Sequence, residues 1–219
     1  MPTDRQSRYA LSGWAILLVI FDTITLGFVT LGFEMVTSRI LTPLFGSGIY
    51  TWATIISIVV AGLMCGYFIG GLFADRYPSF GLASVIKFIS GVYFLFVYFL
   101  AGERLEAVLA LVDGEILPLF LAAFVVCFPP LLVLGMFSPL GVRLILADPR
   151  DAGFVSGGLF AISCAGNIAG ILMTTFLFIP NFGSRAITLA FATFLLASGV
   201  LSYFVYLSQR PAQDLPSRA

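Results

Sequence analysis

The sequence predicts an all-α fold: a polytopic membrane bundle of about six transmembrane helices. Three observations carry that prediction. Hydrophobic residues fill 60% of the 219 positions, charged residues fill 10%, and mean hydropathy is +1.07. A soluble domain is only about half apolar and about a quarter charged. The apolar residues also collect into six runs near 12–41, 49–74, 80–101, 116–146, 153–179 and 184–208. Each run is long enough for the roughly 20 residues that a helix needs to cross a hydrocarbon core. Finally, the connections between runs are short, with 102–115 as the exception.

The first run follows Arg5 and Arg8. It is too long for the roughly 7–15-residue apolar region of a cleavable signal, so the expectation is a retained first span. It holds two carboxylates, Asp22 and Glu34, and reaches Arg39 near its far end. A charge in hydrocarbon costs roughly 2.5–3.5 kcal/mol on insertion scales, so such residues face a partner, a cavity or a pathway. Glu34 and Arg39 are five residues apart, about 140° around an ideal helix, which is poor geometry for pairing with each other.

The second run carries Gly62, Gly66 and Gly70 at four-residue spacing, a stripe that lets backbones approach closely. The third carries Lys87, a candidate partner for Asp22. In the 102–115 connection, Leu105, Val108, Leu109 and Val112 recur at helical spacing and predict a short surface helix.

The fourth run contains Pro129, Pro130, Gly135 and Pro139. Adjacent prolines delete two backbone donors and crowd the preceding turn, which predicts a kinked or unwound segment at Pro129–Pro130. Such a break either shapes the bundle or lines a wet cavity, the setting in which transporters bind substrate. The fifth run has one small-residue stripe through Gly153, Gly157, Ala161, Ala165 and Ala169, and a second through Gly166 and Gly170. Packing inside one bundle and a surface for dimerisation or a partner helix are both open readings of these stripes. Ser163 and Asn167 lie one turn apart on the same run and offer polar lining or interhelical hydrogen bonds. The organisation expected is therefore an N-terminal segment 1–11, a six-span domain 12–208 and a disordered tail 209–219 containing Pro211 and Pro216.

Orientation follows from the basic residues. With the N-terminus inside, Arg5, Arg8, Arg76, Arg143, Arg150, Arg210 and Arg218 are cytoplasmic, and only Arg104 and Arg185 are external. Both termini are expected in the cytoplasm, and the membrane is expected to be a bacterial inner membrane. The net charge of zero gives no nucleic-acid surface. The sequence has no His, and its three cysteines, Cys65, Cys127 and Cys164, lie far apart in apolar runs. Metal, cofactor and redox chemistry therefore have no visible ligand pattern, and no catalytic constellation is present.

Several segments together resemble one family. They are Glu34-Met35-Val36-Thr37-Ser38-Arg39-Ile40-Leu41, then Phe45-Gly46-Ser47 with Tyr50 and Trp52, and Gly70-Gly71-Leu72-Phe73-Ala74-Asp75-Arg76. The fourth-run stretch from Pro129 to Pro139 with Arg143 follows, and then Gly158-Leu159-Phe160-Ala161, Gly166, Gly170 and the Pro180…Gly183 turn. In order and spacing they look like the membrane domain of fused spermidine-synthase-like proteins, which join a major-facilitator-like bundle to an aminopropyltransferase-like domain. One departure is that the family's Asn before the span-five glycines is replaced here by Ser163, with Asn at 167.

The resemblance covers residues 15–205 and implies one half of a major facilitator fold. It implies a bundle that binds or moves a small, polyamine-like cationic solute. The ionisable and polar residues inside the runs, Asp22, Glu34, Arg39, Lys87 and Asn167, are the candidate contacts; the alternative is structural ion pairs, interhelical hydrogen bonds or side chains snorkelling to an interface. Asp75 and Arg76, with Arg143, Asp148, Arg150 and Asp151, would form gating or docking loops. It also implies a chain held in the lipid bilayer as a homodimer or with a protein partner, such as a separate soluble synthase-like chain. Only residues 209–219 follow the sixth run, so a non-enzymatic chain is expected. The alternative is a non-transporting anchor or accessory subunit.

Overall fold

The computed structural model describes residues 13–109, 111–114 and 116–213. The segment 1–11, with Arg5 and Arg8, and the tail beyond Gln213 lie outside the described residues. Helix dominates, and no strand forms among the described residues. The helices are α1 (Gly13–Phe45), α2 (Ile49–Arg76), α3 (Phe80–Leu100), α4 (Glu103–Leu109), α5 (Ile116–Gly135), α6 (Phe137–Ile145), α7 (Ala152–Met173) and α8 (Ile179–Gln213). The short helix α4 falls in the one long connection, and α8 continues past residue 208 to Gln213.

Five continuous stretches are long and apolar enough to cross a membrane. The last of them, Pro149–Ser208, is 60 residues long. As one straight helix it would measure about 90 Å, three times the roughly 30 Å hydrocarbon core. It does not run straight. A π-helical turn at Thr174–Phe178 joins α7 to α8, and Gly183 adopts φ 75° and ψ 159°, outside the helical region. That conformation suits glycine, and the break separates two arms of crossing length, giving six crossings in all.

α1 is the central element. It packs along α7 and also meets α2, α5, α6 and α8, while α2 pairs with α5 and α3 with α8. Glycine sets these close approaches. A Cβ on Gly66 or Gly70 would fall into the backbone of Leu132 or Met136, and one on Gly62 would crowd Phe128 O. A Cβ on Gly166 or Gly170 would fall into the backbone of Ile24 or Phe28. These stripes are therefore internal packing surfaces of one bundle. Gly153 and Gly157 differ: nothing lies within 4 Å of a Cβ built on them, so their stripe is an outer face.

The unwinding expected at Pro129–Pro130 does not occur. α5 runs through both prolines to Gly135. A proline at 129 cannot donate to Val125 O, but the Tyr93 hydroxyl of α3 donates to that carbonyl at 2.7 Å. A neighbouring span thus satisfies the acceptor that Pro129 frees. The interruption lies nearly two turns later, at Met136 between α5 and α6. Gly135 there sits against Leu63 and Gly66 of α2. Pro139 falls in the first turn of α6, where an amide donor is not required.

Candidate functional site

The two faces of α1 hold two different polar arrangements. On the first, Asp22 meets Lys87 of α3, with Oδ2 2.6 Å from Nζ. Both residues are essentially sealed, at 1% and 0% exposure. Lys87 Nζ also donates to Ser202 Oγ at 2.7 Å, and Ser198 Oγ donates to Asp22 Oδ1 at 3.4 Å, so α8 completes the cluster. The Phe137 ring covers the ammonium, its centroid 5.9 Å away. Packing α1, α3 and α8 around one compensated pair fixes their register. Both charges are committed to each other, which takes Asp22 and Lys87 out of the set of free solute contacts.

The second face of α1 lies to one side of the first, with Phe137 between them. Thr23, Gly27, Thr30, Glu34 and Thr37 fall within a narrow stripe at 100° per residue, whereas Asp22 lies about 100° from Thr23. Thr23, Gly27 and Thr30 form the floor of a cleft that encloses about 40 Å³. Leu63 and Tyr67 of α2 form one wall, and Ser163 and Asn167 of α7 the other. Leu134 and Gly135 of α5, then Phe137 and Ser138 of α6, close the end at the interruption. The gap exists because α2 and α7 each pack on other helices rather than extensively on one another.

The cleft offers hydrogen-bond acceptors alongside the hydroxyls of Tyr67, Ser138 and Ser163 and the Asn167 amide nitrogen, which can also donate. The Thr23 and Thr30 hydroxyls donate to Val19 O and Leu26 O of their own helix, at 2.7 Å each. Their oxygens keep lone pairs for another donor. Asn167 Oδ1 is buried and accepts no hydrogen bond among the described residues. At about 10–15 Å³ per water, the cleft holds about three waters or the head of a small cation.

Glu34 is the next position on the cleft stripe of α1, one turn beyond Thr30. Its residue exposure is 8%, and neither an ion pair nor a hydrogen bond reaches its carboxylate among the described residues. Thr37, one turn further, is fully buried and accepts from Cys127 Sγ of α5 at 3.2 Å. Arg39 is exposed and makes no ion pair with Glu34.

The loop residues do not form one network. Asp75 meets Arg143 at 3.6 Å, tying the end of α2 to the end of α6. Asp148 instead pairs with Arg150 at 3.5 Å and caps its amide. Arg76 stacks over the neighbouring Tyr77 ring at 5.9 Å, and Asp151 makes no ion pair.

Of the residues singled out in the sequence, the structure therefore brings Asp22 and Lys87 together, and places Asn167 and Gly135 at the cleft with Glu34 beyond its end. Thr23, Thr30, Tyr67, Ser138 and Ser163 complete the lining. Ser163 was visible as a neighbour of Asn167. The threonines lie at helical spacing with Glu34, the signal that could have found them, whereas isolated Tyr67 and Ser138 carry no spacing signal. Among the described residues no group of His, Cys, Asp and Glu could hold a metal ion. No protein-family model matches the chain, and no curated protein or solved structure shows significant similarity to it.

Proposed function

We propose that this integral membrane protein binds or moves a small cationic solute, polyamine-like in its ammonium chemistry, through the cleft between α1, α2, α5–α6 and α7. The observation that carries this reading is the polar lining inside an apolar bundle, with Asn167 Oδ1 buried and accepting no hydrogen bond among the described residues. A buried polar atom without a partner costs about 1–3 kcal/mol, which a donor-rich ligand would recover. An ammonium head fits the cleft, and the rest of a longer amine would leave through the gap between α2 and α7. The resemblance to the membrane domain of spermidine-synthase-like proteins supports the same solute class. It also supports one half of a major facilitator fold, a second copy or partner chain to complete it, and no catalysis within this chain. The expected location is a bacterial inner membrane with both termini inside. The positive residues Arg76, Arg143 and Arg150 support that orientation, with Arg185 stacked on Tyr98 at the opposite helix ends.

The test is uptake of labelled spermidine into proteoliposomes. Wild-type protein should take it up, and Asn167→Leu should abolish uptake with the protein still monodisperse. Absence of uptake and of calorimetric binding by the wild type would sink the solute reading. A second reading, an anchor or accessory subunit for a cytoplasmic synthase-like chain or a larger membrane complex, draws on the exposed 143–151 loop. There the Arg150 side chain is 91% exposed. Charge reversal at Arg143 and Arg150 should then release a co-purifying partner.

A further inference from the structure

The charges of the membrane interior do not balance. The middle of the apolar run 12–41 falls between residues 26 and 27. At 1.5 Å per residue Asp22 lies about 7 Å from it and Glu34 about 11 Å, both within the roughly 15 Å half-thickness of the hydrocarbon core, whereas Arg39 at about 19 Å lies outside. Two acids therefore lie at hydrocarbon depth on α1, and the one base at comparable depth, Lys87, is bonded to Asp22.

The helices packed on α1 bring no other base to Glu34. α7 has no charged residue; α2 carries Asp75 and Arg76 only at its end; α5 has none in its described length; α6 has Arg143 near its end; and α8 has Arg185 in its first turns and Arg210 near its last. The titratable group toward Glu34 from α5 is Cys127, whose thiol is given to Thr37; α3, stacked on α1 through Phe33 and Phe94, carries Lys87, given to Asp22, and Tyr93, whose hydroxyl is given to Val125 O. An uncompensated carboxylate is not stable in such surroundings, so its charge is cancelled by something that is not a side chain.

We propose that Glu34, one helical turn beyond the cleft residue Thr30, is an exchangeable-cation site. Its carboxyl group holds a proton when the cleft is empty; when a monovalent cation, sodium or a primary ammonium, enters, the carboxylate takes the cation and releases that proton. One proton leaves for each positive charge bound, so the net charge of the interior is unchanged. The inference rests on the reading of the cleft as a cation site and adds its counter-charge and its coupling to protons.

Dicyclohexylcarbodiimide tests this on the full chain in mild detergent, because it enters apolar sites and modifies carboxyl groups that carry a proton. Peptide mass spectrometry should find Glu34 modified at neutral pH and the paired Asp22 unmodified. With sodium chloride or methylammonium chloride about tenfold above its dissociation constant, modification should slow about tenfold relative to choline chloride at equal ionic strength. The salt that protects identifies the cation. Glu34→Asp should retain protected labelling, which guards against a misfolded Glu34→Gln variant. An unmodified Glu34 in choline chloride, in protein whose unfolded form reacts, would overturn the proposal. So would modification that neither cation slows. Spermidine binding that persists beside either negative result would confine the failure to Glu34 and leave the cleft reading standing.

Discussion

Lys87 Nζ sits 2.6 Å from Asp22 Oδ2 where neither side chain meets solvent. Removing one partner leaves the other charge buried without compensation, which costs about 3–5 kcal/mol. Asp22→Leu and Lys87→Met should each lower thermal stability in detergent by that order. The double variant replaces the pair with apolar groups and should recover most of the loss, to within about 1 kcal/mol of wild type. Differential scanning fluorimetry of all four proteins closes the cycle. If the double variant is as unstable as the sum of the singles, the two residues are not coupled and the register role fails.

Gly166 and Gly157 lie on the same helix but meet different surroundings. A methyl group on Gly166 would enter the backbone at Ile24, whereas one on Gly157 meets nothing within 4 Å. Gly166→Ala should destabilise the α1–α7 contact by about 1–3 kcal/mol, the usual range for overpacking. Gly157→Ala should be neutral or stabilising by up to about 1 kcal/mol, since alanine favours helix. Thermal unfolding of the two variants side by side distinguishes them. Equal losses would mean that the outer stripe is covered too.

The Asp75–Arg143 contact should contribute little by itself. The pair is long at 3.6 Å and its side chains are 79% and 49% exposed. Asp75→Asn should change stability by less than about 1 kcal/mol at physiological salt. A larger loss, persisting in high salt, would show that the contact acts as a latch between the ends of α2 and α6.

The crossings were legible because membrane length and apolarity leave few alternatives, and Lys87 was legible as a partner because α1 needs a base and few exist. The rest of that cluster was not, since Ser202 lies 115 residues from Lys87 and Ser198 lies 176 from Asp22. Periodicity within one helix carries no information about which distant hydroxyl closes a pair. The cleft was half visible. Its floor repeats along α1 at helical spacing, but its walls take one or two polar residues from each of several helices, and only the packing of α2 on α5 and of α1 on α7 decides that they face one another. The unwinding expected at Pro129–Pro130 failed to appear for a related reason. A proline's local cost can be read from sequence, but the group that relieves it, Tyr93, belongs to another span.

That relief gives a sharp test of how α5 passes through the two prolines. Val125 O has lost the amide that residue 129 would donate, and the Tyr93 hydroxyl takes its place at 2.7 Å. Tyr93→Phe keeps the ring and removes the donor, leaving a carbonyl unsatisfied in an apolar setting, so stability should fall by about 1–3 kcal/mol. Pro129→Ala restores an amide able to donate to Val125 O. In that background Tyr93→Phe should cost less than about 1 kcal/mol, because the acceptor now has a partner within its own helix. The signature is a suppressed effect and not merely a stable variant. If Tyr93→Phe is equally costly with proline or alanine at 129, the hydroxyl acts elsewhere, and the continuity of α5 must come from side-chain packing alone.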